Sequence, residues 1–299
     1  MVSSIVNFCT NDVRFFRRCV EALAPISDQL IVPVCDHFFN GEKENYALLQ
    51  TLYNDYPQVE FIEFAYSEEE VYGTPARLVP GSPDWATHWH NSARLIGSYF
   101  LKPSCTHVLF CDVDEIFDAD ALRNWLATFP YNHHKAVRFA TYWYFLEARL
   151  RATETPDGPL LVAKDALTPS LLLNPDERMG ICLALNGLRE VKSCGVPIAH
   201  HYSWVRAKEE LLLKTRTWGH HWERNWRALI EESPKGKDYV RGYTYEEVAP
   251  FFDPLQEPIP QSLPTMTLEE HRYRHYPNVK RIDIPTINRL ELLLDIKQI

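Results

Sequence analysis

The chain has 299 residues, 45% apolar and 13% aromatic, enough to fill one large α/β core or two small ones, which excludes a disordered chain. Its formal charge of −9, with no dense Lys/Arg cluster, excludes a general nucleic-acid binder, because backbone phosphates demand a basic face. An anionic ligand would need local Arg and Lys, or a metal.

In chain order, "SSIVNFCT" reads as a short apolar strand, and "NDVRFFRRCVEALAPI" has helical spacing through Phe15, Cys19 and Leu23. Asn11 or Asp12 suits its N-cap and Pro25 its stop. "DQLIVPVCD" is a second strand, "GEKENYALLQTLYNDYP" a second helix with Leu48, Leu52 and Tyr56 on one face, and "VEFIEFAY" a third strand. This β-α-β-α-β order predicts a mostly parallel central sheet with helices on both sides. The polar "SEEEVYGTPARLVPGSPDW" predicts a loop, and "ATHWHNSARLIGSYFL" a helix leading into the strand "HVLFCD".

That strand ends in Asp112, Val113, Asp114 and Glu115. Side chains alternate along a strand, so Asp112 and Asp114 share one side while Val113 points back into the protein. Two close carboxylates repel unless a hard divalent cation or a shared proton lies between them. The apolar residues before Asp112 predict burial, and ionised carboxylates are rarely buried unpaired. Asp118 and Asp120, in "DADAL", suit a helix N-terminus instead. In open α/β sheets ligands bind outside the carboxyl ends of the strands, where Asp36, Asp112 and Asp114 are expected.

Farther on, "KAVRFATYWYFLEARLRAT" is strand-like and aromatic, and "DGPLLVAKDALTPSLLL" predicts strands separated by turns. "LNPDERMG" has the punctuation of a loop. "VPIAHHYSW" predicts a strand entering one long helix, on which Trp218, Trp222 and Trp226 repeat every four residues as a packing stripe. Residues 236–299 are Pro-rich and predict an irregular extension packed on a main domain of residues 1–235, with a short helix in "TLEEHRYRHYP". The seven cysteines lack a CxxC pair and read as small buried hydrophobes of a reducing compartment. No stretch approaches about 18 uncharged apolar residues and no secretory leader opens the chain. The expectation is a cytoplasmic protein without a transmembrane segment, with peripheral membrane contact left open.

Residues 3 to 222 resemble the nucleotide-sugar-dependent glycosyltransferases of the GT-A fold, especially family-2-like members. The resemblance is carried by "SIVNFCTNDVRFFRRCVEAL…QLIVPVCD", by "HNSARLIGSYF" ahead of the strand, by "LFCDVDEIF" as a DxD motif, and by "HHYSW". It implies a three-layer α/β/α, Rossmann-like domain and a metal-dependent enzyme. The enzyme would move a sugar from a nucleotide diphosphate donor, UDP-linked by family frequency, to a glycan or other hydroxyl acceptor, by inversion. Asp112 and Asp114 would hold Mn²⁺ or Mg²⁺ with one of His200 and His201. Asp36 would contact the base or ribose, with Asn91 and Arg94 near the nucleotide.

Such a transfer builds negative charge on the departing phosphate and needs a base for the acceptor hydroxyl. Arg206, Lys208 and Lys214 are candidates to neutralise phosphate. The base has no clean counterpart of the family's acid; Glu177 and then Asp176 are the first candidates, with Glu147 and Glu190 behind. Tyr142 to Phe145 cannot all be buried on one side of a strand, so one of them is a candidate to stack on an acceptor sugar. "GHH" at 219–221 and "NHH" at 132–134 are expected at the surface, and "HWH" at 88–90 has no partner set for zinc. Two rival readings are a haloacid-dehalogenase-like phosphohydrolase, whose signature is also a strand ending in DxD, and a non-catalytic module that binds a sugar nucleotide.

Overall fold

The structure, a computed structural model, describes residues 1–67, 83–233, 238–259 and 263–283. The first unit follows the predicted order: β1 (Val2–Asn7), α1 (Val13–Leu23), β2 (Gln29–Cys35), α2 (Tyr46–Asp55) and β3 (Glu60–Phe64). α1 stops before Pro25, which cannot continue the hydrogen-bond ladder. Most of the predicted loop, residues 68–82, lies outside the described residues. α3 (Pro83–Ser98) then leads to β4 (His107–Asp112), β5 (Glu115–Phe117) and α4 (Ala119–Thr128). Asp118 caps α4 by accepting from the amides of Asp120 and Ala121, at 3.1 and 3.0 Å.

β6 (Ala136–Phe145), β7 (Glu147–Ala152) and β8 (Asp157–Ala163) follow. The apolar "SLLL" after them is not a strand but the short helix α5 (Pro169–Leu172), started by Pro169 at its first position and capped by Thr168. The predicted loop "LNPDERMG" likewise runs into α6 (Glu177–Ala184), which precedes β9 (Leu188–Val191) and β10 (Ala199–Trp204). The long helix expected next is two helices, α7 (Lys208–Thr217) and α8 (Trp226–Glu232), broken around Gly219. The tryptophan stripe therefore does not exist. Trp218 and Trp226 pack on Trp204, whereas Trp222 is exposed. The segment beyond residue 236 is more regular than its prolines suggest: it supplies β11 (Tyr245–Glu247), α9 (Leu268–Tyr273) and β12 (Val279–Ile282).

The sheet runs β11-β7-β6-β8-β4-β1-β2-β3-β12, with β9 and β10 beside β6 and β5 beside β10. From β12 to β4 every pairing is parallel, while β8 joins β4 and β6 antiparallel. One apolar layer packs Phe15, Phe16, Leu49, Leu52 and Trp125 of α1, α2 and α4 against one face. The other packs Trp89, Ile96, Leu172 and Ile181 of α3, α5 and α6 against the opposite face, which makes three layers, α/β/α. At Gly97 a Cβ would stand 2.9 Å from both Ile5 and Pro33, so only glycine lets α3 come this close to β1 and β2. Six of the seven cysteines are buried thiols and Cys194 is exposed. Among the described residues no helix is long and apolar enough to cross a membrane.

Candidate active site

β4 ends at Asp112 and turns through Val113 and Asp114 into β5, which brings both aspartates from the carboxyl edge of the sheet to the wall of a cavity of about 570 Å³. The turn is fixed at both ends: the Val113 amide donates to Asn7 O at 3.1 Å, and the Tyr202 amide to Asp114 O at 2.9 Å. Arg178 Nη2 donates to Asp112 Oδ2 at 2.9 Å and to Glu115 Oε1 at 3.0 Å. Asp114 Oδ2 accepts from Lys214 Nζ and Arg206 Nη2, each at 3.2 Å, and both cations also reach Asp12. Burial alone would raise both carboxyls. At Asp112 the charges of Arg178, His90 and Arg94 outweigh it, and at Asp114 Lys214, His201 and Arg206 do so by more, holding Asp112 below and Asp114 well below the usual carboxylate range.

One oxygen of each aspartate is thus bonded, and the other is not. Among the described residues Asp112 Oδ1 and Asp114 Oδ1 are buried atoms without a hydrogen-bond partner. His201 Nε2 stands 3.4 Å from Asp114 Oδ1, and Arg94 Nη2 3.7 Å from Asp112 Oδ1. Among the described residues no group of three or more His, Cys, Asp or Glu side chains is placed to hold a metal ion. Two carboxylate oxygens and one imidazole nonetheless stand at the wall of the same cavity.

Glu177 lies at the same cavity, at the first position of α6, with its backbone in the left-handed region at φ 51°. A non-glycine residue held there costs about 1–3 kcal/mol and persists only where its surroundings enforce it. The enforcement is visible: Glu177 Oε1 accepts from His90 Nδ1 at 3.1 Å and His220 Nε2 at 3.0 Å, and Arg94 Nη2 lies 3.4 Å from Oε2. Burial would raise this carboxyl, but the charge of His90, hydrogen bonds from both histidines and the charge of Arg94 hold it well below the usual range. His220 Nδ1 in turn lies 2.7 Å from Glu223 Oε1. Burial disfavours the His220 cation, yet Glu177 and Glu223 together push its pKa up to about 8.

Trp143, Trp204, Trp218 and Trp226 line the cavity near His201 and His220. Arg241 sits 5.0 Å over the Trp143 ring, carried by a loop that Asp238 staples through the amides of Val240, Arg241 and Tyr243 and the Tyr245 hydroxyl.

The predicted residues fall into three groups. Asp112, Asp114, Glu177, Asp176, His201 and Lys214 line the cavity together, Asp176 as an exposed residue. Arg94 and Asn91 are buried behind it, where Arg94 donates to Asn91 Oδ1 and Asn91 Nδ2 to Asn174 O at 3.0 Å. His200 and Asp36 lie elsewhere. Strand alternation turns His200 to the opposite face, where it bonds the Tyr144 hydroxyl at 2.8 Å and stacks on Phe251. Asp36 lines a separate cavity with Glu63, Arg272 and Arg281, and is bonded by Arg272 and by the Tyr66 amide. Glu147 and Glu190, the reserve acids, are exposed. His220 is not the surface residue expected from "GHH", because the break between α7 and α8 turns it inward. His90, Arg178 and Glu115 also line the cavity; Glu115 stood next to the motif and His90 in the "HWH" set aside as a zinc site, whereas Arg178 gave no local signal.

No family model matches the chain, and no curated protein matches it. Among solved structures it is similar to 4-diphosphocytidyl-2C-methyl-D-erythritol synthase from Anaerococcus prevotii, at 12% identity and TM-score 0.40 over 75% of this chain and 99% of that one. It is similar to the inositol-1-phosphate CTP transferase from T. maritima, at 10% identity and TM-score 0.41 over 71% of this chain and 94% of that one. A further match is S. aureus TarS 1–349 in complex with UDP-GlcNAc, at 13% identity and TM-score 0.38, where 71% of this chain covers 64% of that one.

Proposed function

We propose that the cavity binds a nucleotide diphosphate sugar, with UDP-sugars favoured, and transfers the sugar to a glycan or other hydroxyl acceptor. The observation that carries this reading is the pair of ionised aspartates, Asp114 buried and Asp112 partly so, each with one oxygen bonded by Arg178 or by Lys214 and Arg206 and the other without a hydrogen bond among the described residues. Asp112, Asp114 and His201 are the residues that would hold Mn²⁺ or Mg²⁺. When bound, the cation would supply Lewis-acid stabilisation of the charge that builds on the leaving phosphate. Lys214, Arg206 and Arg178 add fixed positive charge beside the same group, oriented before the donor arrives. Asn91 positions Arg94, and Arg94 holds Glu177. In an inverting transfer the acceptor oxygen bonds to the anomeric carbon, the bond to the β-phosphate oxygen breaks, and the acceptor's proton must leave. Glu177, kept ionised, is the carboxylate best placed to assist that loss, and Asp176 at the rim is second to it. Asp36 lies outside this donor site.

The test combines calorimetric titration of UDP with Mn²⁺ and hydrolysis of UDP-glucose, UDP-galactose and UDP-N-acetylglucosamine. Wild-type protein should bind Mn²⁺–UDP and hydrolyse at least one donor slowly, with both lost in excess chelator. Asp114→Ala should lose binding and turnover together. Phosphate release from p-nitrophenyl phosphate without any nucleotide would return the phosphohydrolase reading, and UDP binding without turnover on any donor or acceptor would return the non-catalytic module.

A further inference from the structure

Glu177 is poorly suited to take a proton itself. Oε1 already accepts two imidazole hydrogen bonds, Oε2 faces Arg94, and the whole set favours the anion. A carboxylate held in this way is a weak base, but it is well placed to orient one, because a carboxylate accepting from one ring nitrogen fixes the imidazole tautomer and makes the other nitrogen more basic. His220 meets that description. Its Nε2 is directed at Glu177, which leaves Nδ1 as the nitrogen that exchanges a proton, and Nδ1 meets only Glu223 of its own segment, whose side chain is 39% exposed and can swing out.

We propose that His220 Nδ1 is the general base of the transfer, that Glu177 orients it through Nε2, and that Glu223 occupies the acceptor hydroxyl's place in the resting site. The inference rests on the transfer reading above. At rest Nδ1 carries the proton that Glu223 accepts; once that proton is lost to solvent, the acceptor hydroxyl displaces Glu223 and gives its own proton to Nδ1. The freed oxygen bonds to the anomeric carbon, the sugar–phosphate bond breaks, and the nucleoside diphosphate leaves with the bonding electrons. The imidazolium then releases its proton to solvent. Among the described residues the charged groups facing His220 are Glu177 of α6, His90 of α3 at 6.4 Å between ring centroids, and Glu223, with Arg94 behind Glu177.

The experiment follows UDP-sugar hydrolysis, with water as acceptor, from pH 5.5 to 9.5 beside Mn²⁺–UDP titration. Wild-type turnover should rise with pH and level off above about 8, since only the neutral imidazole accepts a proton. Glu223→Gln removes one of the two carboxylates that favour the cation. It should move this limb to lower pH and raise the rate at pH 7 several-fold, an effect no merely structural role for Glu223 produces. His220→Gln keeps an amide donor for Glu177 but has no basic nitrogen; it should bind Mn²⁺–UDP like wild type, lose at least 100-fold in turnover and lose the limb. A His220→Gln protein with the wild-type rate or pH limb, or a limb unmoved in Glu223→Gln, overturns the assignment while leaving the donor site intact. If wild-type protein hydrolyses no donor, the transfer reading fails first and takes this one with it.

Discussion

Under the proposed transfer Asp114 serves binding as well as folding. Asp114→Ala removes one of the two anions that Lys214 and Arg206 share and leaves Asp12 as the carboxylate both still reach among the described residues. Breaking a buried ionic group in this way costs roughly 3–5 kcal/mol, so the melting temperature should fall along with Mn²⁺–UDP affinity, and Asp114→Asn, which keeps an acceptor for both cations, should recover part of the stability and little of the affinity. Glu44 offers a test independent of the site. It is buried and accepts from the Thr10 amide at 3.2 Å and the Asn45 amide at 3.1 Å; burial outweighs these bonds and raises its carboxyl to about 7. Its folded pKa lies above its unfolded one, so its stabilisation is complete below about pH 4.5 and is lost as pH rises through about 7. Wild-type protein should therefore lose stability relative to Glu44→Gln between pH 5 and 8, by up to about 3 kcal/mol. Parallel melting curves for the two proteins across that range would remove the assignment.

The alternating strands and helices from residue 2 to residue 112 were legible because each carries one clear period and a stop, such as Pro25 after α1. Two elements were not. The break between α7 and α8 falls in "WGHHWERNW", where tryptophans every four residues imitate a continuous face; the indoles instead gather around Trp204 from two helices. β12 lies in a stretch without strong alternation and exists because β3 offers it an open parallel edge. The site was half legible for a related reason. Asp112 and Asp114 announce themselves as charges at the end of an apolar run, whereas His90, Arg178 and His220 come from three separate helices or turns and meet only after folding. The loop reading of Glu177 failed because its left-handed residue starts a helix instead of closing a turn. Element packing near the site also gives a prediction. A Cβ at Gly158 on β8 would stand 2.2 Å from Thr141 Cγ2 and 3.0 Å from Glu115 Oε1, so Gly158→Ala should destabilise the protein by about 1–3 kcal/mol and weaken Mn²⁺–UDP binding by displacing Glu115 from Arg178. Unchanged affinity would detach Glu115 from the donor site.

At the scale of the molecule, the late segment is stitched to the beginning of the sheet. His271 Nε2 pairs with Glu63 Oε2 at 2.6 Å, fully buried, Arg281 Nε donates to Glu63 Oε1 at 2.9 Å, and β12 pairs with β3 from Val279↔Phe61 to Ile282↔Phe64. A protein cut after residue 262 exposes the β3 edge and leaves Glu63 buried with only the Tyr53 hydroxyl, so it should lose cooperative melting altogether; a truncated protein that melts like the full chain would show that the stitch is ornamental. The same stitch constrains the order of events during synthesis. β3 waits about 215 residues for its outer neighbour, and Asp12 waits about 190 for Arg206, so the parallel edge cannot close before residues 279–282 are made, nor the charged floor of the cavity before residue 206. The intermediate made meanwhile carries a bare strand edge and unpaired acids, a species that a cell would have to shield, and folding should be slow and limited by these last long-range closures.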